Sequence, residues 1–292
     1  MCFWFQWAVK LFHVEQNTFL FKAKDHLVSQ KEFNIYWDKQ RCYANTEVAK
    51  GINLEAFYKA DAYSSHKTEK NTFLDYIYTF VQKLMLSYKA GFVKKQANNN
   101  VLDYGAGVGV YANFLKEKGY AVSTVEPSET ARKACVHKGL VSYKAIDQIP
   151  NGARFSSISL WHVLEHLPDP NTILLQLNTR LDPKGRLIIA VPNLKSYDAK
   201  YYKHQWAALD VPRHLWHFTS IGLIKMVEEN NFMFQSQHPL WFDSFYISYM
   251  SEAQKGASFP FVRGVVIGFL SNIKALFNGE YSSKIYVFEK KV

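Results

Sequence analysis

In Val101-Leu-Asp-Tyr-Gly-Ala-Gly-Val-Gly109 one acid precedes three alternating glycines: Asp103, then Gly105, Gly107 and Gly109. Glycines let a turn take left-handed conformations and let a ligand come close to the backbone. A carboxylate leading such a turn suits a ligand carrying a positive amino group. A second acid, Glu126, stands 21 residues after Gly105, the distance at which an α/β sheet places a carboxylate on ribose hydroxyls. A dinucleotide fingerprint needs a third small residue where Val110 stands, so NAD and FAD are disfavoured.

Two imidazole clusters follow. His162, Glu165 and His166 are spaced i, i+3 and i+4, which one helical turn would bring to one face. Such a set can hold a divalent metal or orient a base on a carboxylate; the bland alternative is a hydrogen-bonded network that fixes the loop, and no metal is assigned. Arg213, His214 and His217 follow a proline and stand beside Trp206 and Trp216. They read as a lid with a general base and an anion clamp or, structurally, as aromatic core with Asp210 pairing Arg213. An imidazole accepts a hydroxyl proton at neutral pH, which makes His162, His166 and His214 the catalytic candidates.

The elements that must position these residues show in the hydrophobic pattern. Strands are expected at 101–104, 121–126, 140–146, 155–161 and 186–191, with helices near 110–118, 128–138 and 171–181 between them. This alternation implies a parallel sheet with helices on both faces. A helix at 220–230 and late strands at 232–237 and 284–288 complete it. Before residue 95 the chain is aromatic-rich with weak periodicity, apart from a helix near 71–89; the run 94–100 reads as a loop.

The 292 residues carry 48% hydrophobic and 21% charged residues, ordinary globular usage that excludes disorder, collagen and coiled coil. The net charge of +10 is spread as +5, +3 and +2 over 1–95, 96–239 and 240–292. Nucleic-acid binding needs a concentrated patch, so it is disfavoured. Three scattered cysteines, Cys2, Cys42 and Cys135, make no disulfide framework and point to a reducing, cytoplasmic setting. Residues 1–9 are apolar but short, without a basic start or cleavage site, so no signal peptide is read there. The apolar stretch 261–277 contains Arg263, Ser271, Asn272 and Lys274 and reads as too polar and too short for a transmembrane segment. Burial against the protein is the plainer expectation for it, contact with a membrane surface the other.

Taken together, the glycine loop and both acids resemble the class I S-adenosylmethionine-dependent methyltransferases over residues 99–240. Val125-Glu-Pro127 is similar to the family's second motif. Ser159-Leu-Trp-His-Val-Leu-Glu-His-Leu-Pro-Asp-Pro170 looks like the fourth-strand segment of the ubiquinone-biosynthesis-like branch, and 181–192 like the fifth strand. The run 210–219 is similar to bacterial members whose substrates are mostly unassigned. The resemblance implies a Rossmann-like, doubly wound, seven-stranded, mostly parallel sheet with an antiparallel last strand, forming a domain over 96–292 with substrate-side insertions at 193–218 and 240–282. It implies S-adenosyl-L-methionine as cofactor and S-adenosyl-L-homocysteine as product. By position, Gly105, Ala106 and Gly107 would approach the methionine part and Asp103 its amino group. Glu126 would hold the ribose, Ile146 and Asp147 would border the adenine, and Trp161 and His162 would lie near the methyl group. Glu126 also reads as a cap for the helix at Ser128, and Asp147 as part of an ordinary turn.

The amino-terminal extension, 1–95, resembles that of bacterial relatives carrying a small zinc ribbon. The second cysteine pair would fall near Asp38 and Arg41, so no zinc is expected; a lid over the acceptor pocket is the other reading. The function implied is methylation of a small, aromatic or anionic molecule at oxygen. The rivals are an RNA or protein methyltransferase and a cofactor-binding module without catalysis.

Overall fold

The computed structural model describes residues 17–49, 52–58, 73–94 and 99–291. The expectation for 1–9 lies outside these residues, as does most of the loop expected at 94–100.

The polar-to-apolar alternation from residue 99 produces β4 to β8 with helices between, after an amino-terminal set of β1 (Asn17–Lys24), β2 (Glu32–Asp38), β3 (Tyr43–Thr46) and α1 (Phe73–Ala90). In chain order the next elements are β4 (Asn100–Tyr104), α2 (Val110–Glu117), β5 (Ala121–Val125), α3 (Glu129–His137), β6 (Val141–Tyr143), β7 (Phe155–Trp161), α4 (Pro170–Arg180) and β8 (Leu181–Pro192). They are followed by α5 (Tyr197–Tyr202), β9 (Trp216–Phe218), α6 (Ser220–Glu229), β10 (Phe232–Pro239), α7 (Asp243–Gln254), α8 (Pro260–Asn278) and β11 (Ser283–Lys290). Polar caps start the helices as their sequences dictate: Ser128 accepts from the Ala131 amide, Asp169 from Thr172 and Thr219 from Gly222.

The main sheet has seven strands in the order β10-β11-β8-β7-β4-β5-β6. β4, β5, β6, β7 and β8 run parallel, and only β11 is reversed, pairing antiparallel with both β8 and β10. This is the Rossmann-like, mostly parallel sheet expected. The order reverses at β4, so the carboxyl ends of β4, β5 and β7 meet at the switch point where open α/β sheets bind ligands. Leu102, Ile158, Leu160, Leu187 and Ile189 fill the core on one side of the sheet; Val101, Leu115, Ile188, Ala190 and Ile285 fill the other.

The amino-terminal strands form a second, antiparallel sheet, β1-β2-β3-β9. Its last strand comes from residues 216–218, so the segment before residue 95 is stitched into the later chain. Thr46 Oγ1 donates to the His214 carbonyl at 2.7 Å, and the Thr46 amide donates to Leu215 at 3.0 Å. At the turn where a second cysteine pair would stand, Asp38 closes the backbone by accepting from the Arg41 amide at 2.9 Å.

At the glycine turn Val110 is 39% exposed, and the tight contact falls to Gly109, where a Cβ would lie 2.8 Å from Cys135 Sγ. One expectation needs correction. The stretch 261–277 belongs to a 19-residue helix that by length and composition is long and apolar enough to cross a membrane, and only 28% of it is buried. Neither the length objection nor the burial expectation survives.

Candidate active site

Asp103 ends β4 with only 2% of its surface exposed. Burial pushes its carboxyl up to about 6, against a hydrogen bond from Ser159 and the charge of Lys89. The Ser159 hydroxyl donates to Asp103 Oδ1 at 2.7 Å. Beyond it Gly105 (φ +75), Gly107 (φ +53) and Gly109 (φ +75) all take left-handed conformations, as the motif requires. A Cβ on Gly105 would drive into Val163 at 2.4 Å, whereas one on Gly107 would meet nothing within 4 Å. Gly107 thus faces open space beside its backbone, the opening a ligand approaching this loop would fill.

Glu126 is buried just beyond β5. Its Oε2 accepts from the Gly107 amide at 2.8 Å and its Oε1 from the Ser128 amide at 2.8 Å. It therefore ties the glycine loop to the start of α3, as the capping reading expects. Ile146 is buried in the core, while Asp147 stands exposed in the turn after β6. Trp161 ends β7 with the Lys89 ammonium 4.6 Å from its ring centroid. Lys89, at the end of α1, was missed in the sequence; burial lowers its pKa, and the nearby Asp243 and Asp103 partly restore it.

His162 follows directly, in a left-handed conformation (φ +56) that a β-carbon makes costly. Its amide donates to the Ala190 carbonyl at 2.9 Å. The ring lies between two carboxylates, with Nδ1 3.3 Å from Glu165 Oε1 and Nε2 3.1 Å from Asp243 Oδ2. Burial alone would lower its pKa, but these two bonds overcome burial and raise it to about 9. His162 is therefore an imidazolium at neutral pH, and its surroundings do not suit the general base expected of it. They make it a fixed cation. Asp243, at the start of α7, is 81 positions downstream, and nothing in the local pattern announces the pairing.

His166 turns away from His162, so the expected common face does not form. Its Nδ1 lies 3.1 Å from the Arg213 carbonyl and 3.1 Å from the Tyr58 hydroxyl, and its ring meets His214 edge-on at 4.5 Å. Burial and then the charge of His214 push its pKa down to about 4, so this ring is neutral. A carbonyl at Nδ1 fixes the proton there and leaves the Nε2 lone pair open. His214 places Nδ1 2.8 Å from the Ala208 carbonyl and Nε2 3.8 Å from Asp210 Oδ2. Glu165, His166 and His214 offer ligand atoms all within 4.8 Å of one another. These are the residues that could hold a cation, where the sequence assigned none. Burial favours the neutral acid at Glu165, but the His162 ring beside it wins and holds its pKa below the usual value.

Arg213 is no anion clamp. It is 2% exposed, grips Asp210 through Nε at 2.9 Å and through Nη2, and donates to the Phe57 carbonyl at 3.1 Å. His217 faces Thr46 Oγ1 at 2.9 Å within the core, where burial and then His214 lower its pKa to about 3. Both hold the 210–218 loop against the amino-terminal sheet.

With this geometry in view, the comparisons with known proteins decide the family. The family described as a methyltransferase domain matches residues 77–237, more than half of the chain. The chain belongs to this family. Its resemblance to the ubiquinone-like branch stands with it. Curated relatives include the ubiquinone biosynthesis O-methyltransferase of Actinobacillus pleuropneumoniae serotype 5b, 30% identical over 133 residues, 39% of this chain and 57% of that protein. That of Haemophilus ducreyi is 26% identical over 133 residues, 39% and 56% respectively. The chain thus spans a little over half the length of these relatives. Among solved structures, coclaurine N-methyltransferase superposes with a TM-score of 0.52 at 13% identity, covering 76% of this chain and 75% of that one. The [4+2]-cyclase SpnF gives 0.51 at 14%, covering 72% and 80%. At such identities they share the fold alone.

Proposed function

We propose that this protein transfers a methyl group from S-adenosylmethionine to an oxygen of a small aromatic or anionic acceptor. The observation that carries the reading is the open backbone at Gly107, flanked by buried Asp103 and Glu126, within a chain whose curated relatives are named O-methyltransferases. Asp103 would face the amino group, Glu126 the ribose, Ile146 and Asp147 the adenine edge, and Trp161 the methyl group. The donor brings an already activated sulfonium methyl group. The protein's own task is to align the acceptor oxygen and exclude water.

His162, with both ring nitrogens turned to carboxylates, would fix the loop at the end of β7. The acceptor chemistry would fall to two other rings. His166, neutral with Nε2 free, would take the hydroxyl proton, and His214 would share or relay it. Lys89 would offer its cation to the donor's carboxylate.

The test is incubation of the protein with methyl-labelled S-adenosylmethionine and a panel of phenols, catechols and aromatic carboxylates, with RNA and protein extract as parallel acceptors. Label on a small-molecule oxygen, lost in His166→Ala but not in donor titrations of that variant, is the expected result. Label entering RNA or protein, or none entering any acceptor while the donor binds, contradicts the reading.

A further inference from the structure

The hairpin of α7 and α8 is built inside out. Ser244, Ser248, Ser251 and Glu252 of α7 are fully buried. From α8 the inward residues are Gly264, Ile267, Gly268, Ser271 and Ala275. The two glycines set the contact, since a Cβ on Gly264 would lie 2.5 Å from Tyr249 Cα and one on Gly268 2.8 Å from Phe245 Cα. Ser271 donates to buried Asp198 at 2.7 Å. The large apolar side chains point the other way: Tyr246 is 55% exposed, Phe261 66%, Phe269 56% and Phe277 87%. A helix facing water buries its large residues and exposes its polar ones. Small residues between helices with bulky ones outward is how helices pack where the surrounding solvent is lipid.

The charge around this face is net basic. From Glu252 to Gly279 the chain contains Lys255, Arg263 and Lys274 against one acid, three charges less one. That acid, Glu252, is buried and pairs with Arg263 at 2.8 Å and Lys255 at 3.9 Å, while Asp243 faces His162. An apolar face with a basic rim complements an anionic phospholipid surface.

Length and tethering set the depth. The 12 residues of α7 reach about 18 Å, short of a hydrocarbon core of about 30 Å. α7 follows β10 and α8 leads into β11, strands paired at Pro239 and Lys284. Both ends of the hairpin therefore return to one edge of one sheet. We propose that the α7–α8 hairpin is a monotopic anchor that seats this protein on one leaflet of an anionic bilayer. The α7 residue Asp243 touches His162, so the hairpin adjoins the active site. The proposal is independent of which acceptor is methylated.

The test is flotation of the full-length protein with vesicles of phosphatidylcholine alone and of phosphatidylcholine with phosphatidylglycerol. It is run for the wild type and for a triple variant, Phe261→Ser, Phe269→Ser and Phe277→Ser. The wild type is expected to float with the anionic vesicles, less so at high salt, and the variant to lose about tenfold or more of this binding. The variant's unchanged thermal unfolding and donor titration would show it folded. A wild type that sediments with both vesicle types, or a folded variant that floats equally well, overturns the proposal. So does a wild-type dimer that dissociates in the variant without vesicle binding by either, since the face would then be covered by a second copy.

Discussion

Replacing Asp243 by Asn removes one of the two carboxylates that keep His162 charged while leaving the size of the side chain unchanged. The ring lies 3.1 Å from Asp243 and 3.3 Å from Glu165, and together they lift its pKa to about 9. A hydrogen bond to a charged partner contributes about 1.5–3 kcal/mol, and one pKa unit corresponds to about 1.4 kcal/mol. Losing the Asp243 bond would lower the midpoint by about one to two units. His162 is 34% exposed and solvent screens part of the attraction, so the lower figure, about one unit, is expected. The assay is an NMR titration of the His162 ring in wild type and variant, each with His166→Ala as an assignment control. A wild-type midpoint near the free-imidazole value, or a midpoint unmoved by Asp243→Asn, would refute the idea that this carboxylate sets the charge.

Three further outcomes follow from the same geometry. Arg213→Leu strands the Asp210 carboxylate, and breaking so buried a pair costs about 3–5 kcal/mol, measurable as a fall in the denaturation midpoint. Gly105→Ala combines a left-handed φ with a Cβ 2.4 Å from Val163; a loss of about 1–3 kcal/mol is expected by thermal melting, and an unchanged Tm would contradict the close packing. Stability should fall on both sides of neutrality. His162, with its folded pKa raised, stabilises fully below about 6.5 and loses that contribution as pH climbs through about 9. His166 and His217, depressed to about 4 and about 3, favour the unfolded chain as pH drops below about 6.5, because the unfolded imidazoles take up protons first. A Tm that stayed flat from pH 4 to 9 would contradict these assignments.

The seven-stranded sheet was legible because each buried strand is a short apolar run between a helix and a turn signal, as at Val101–Tyr104 or Phe155–Trp161. The acid-led glycine turn was legible for the same local reason. Three parts were not. β1 to β3 complete a sheet only with β9, about 170 residues later, and no local period reports such a partnership. Asp243 and Lys89 reach the site from α7 and α1, elements whose patterns say nothing of where they dock. The α7–α8 hairpin inverts the usual relation between apolarity and burial, so reading apolar residues as inward misplaced its faces. His162, Glu165 and His166 do lie close together, but a one-turn helix that begins only at Leu164 sends the two imidazoles apart and leaves Glu165 between them.

The most direct test of the central claim is calorimetric titration of the protein with S-adenosylmethionine, beside an Asp103→Asn variant. Asparagine keeps the size of the side chain and an oxygen to accept from Ser159, and removes only the charge that would face the donor's amino group. Donor binding by the wild type, weakened about tenfold or more in a variant whose thermal unfolding is unchanged, is the predicted result. Equal binding by both proteins, or none by the wild type, would contradict the placement of the methyl donor on this loop.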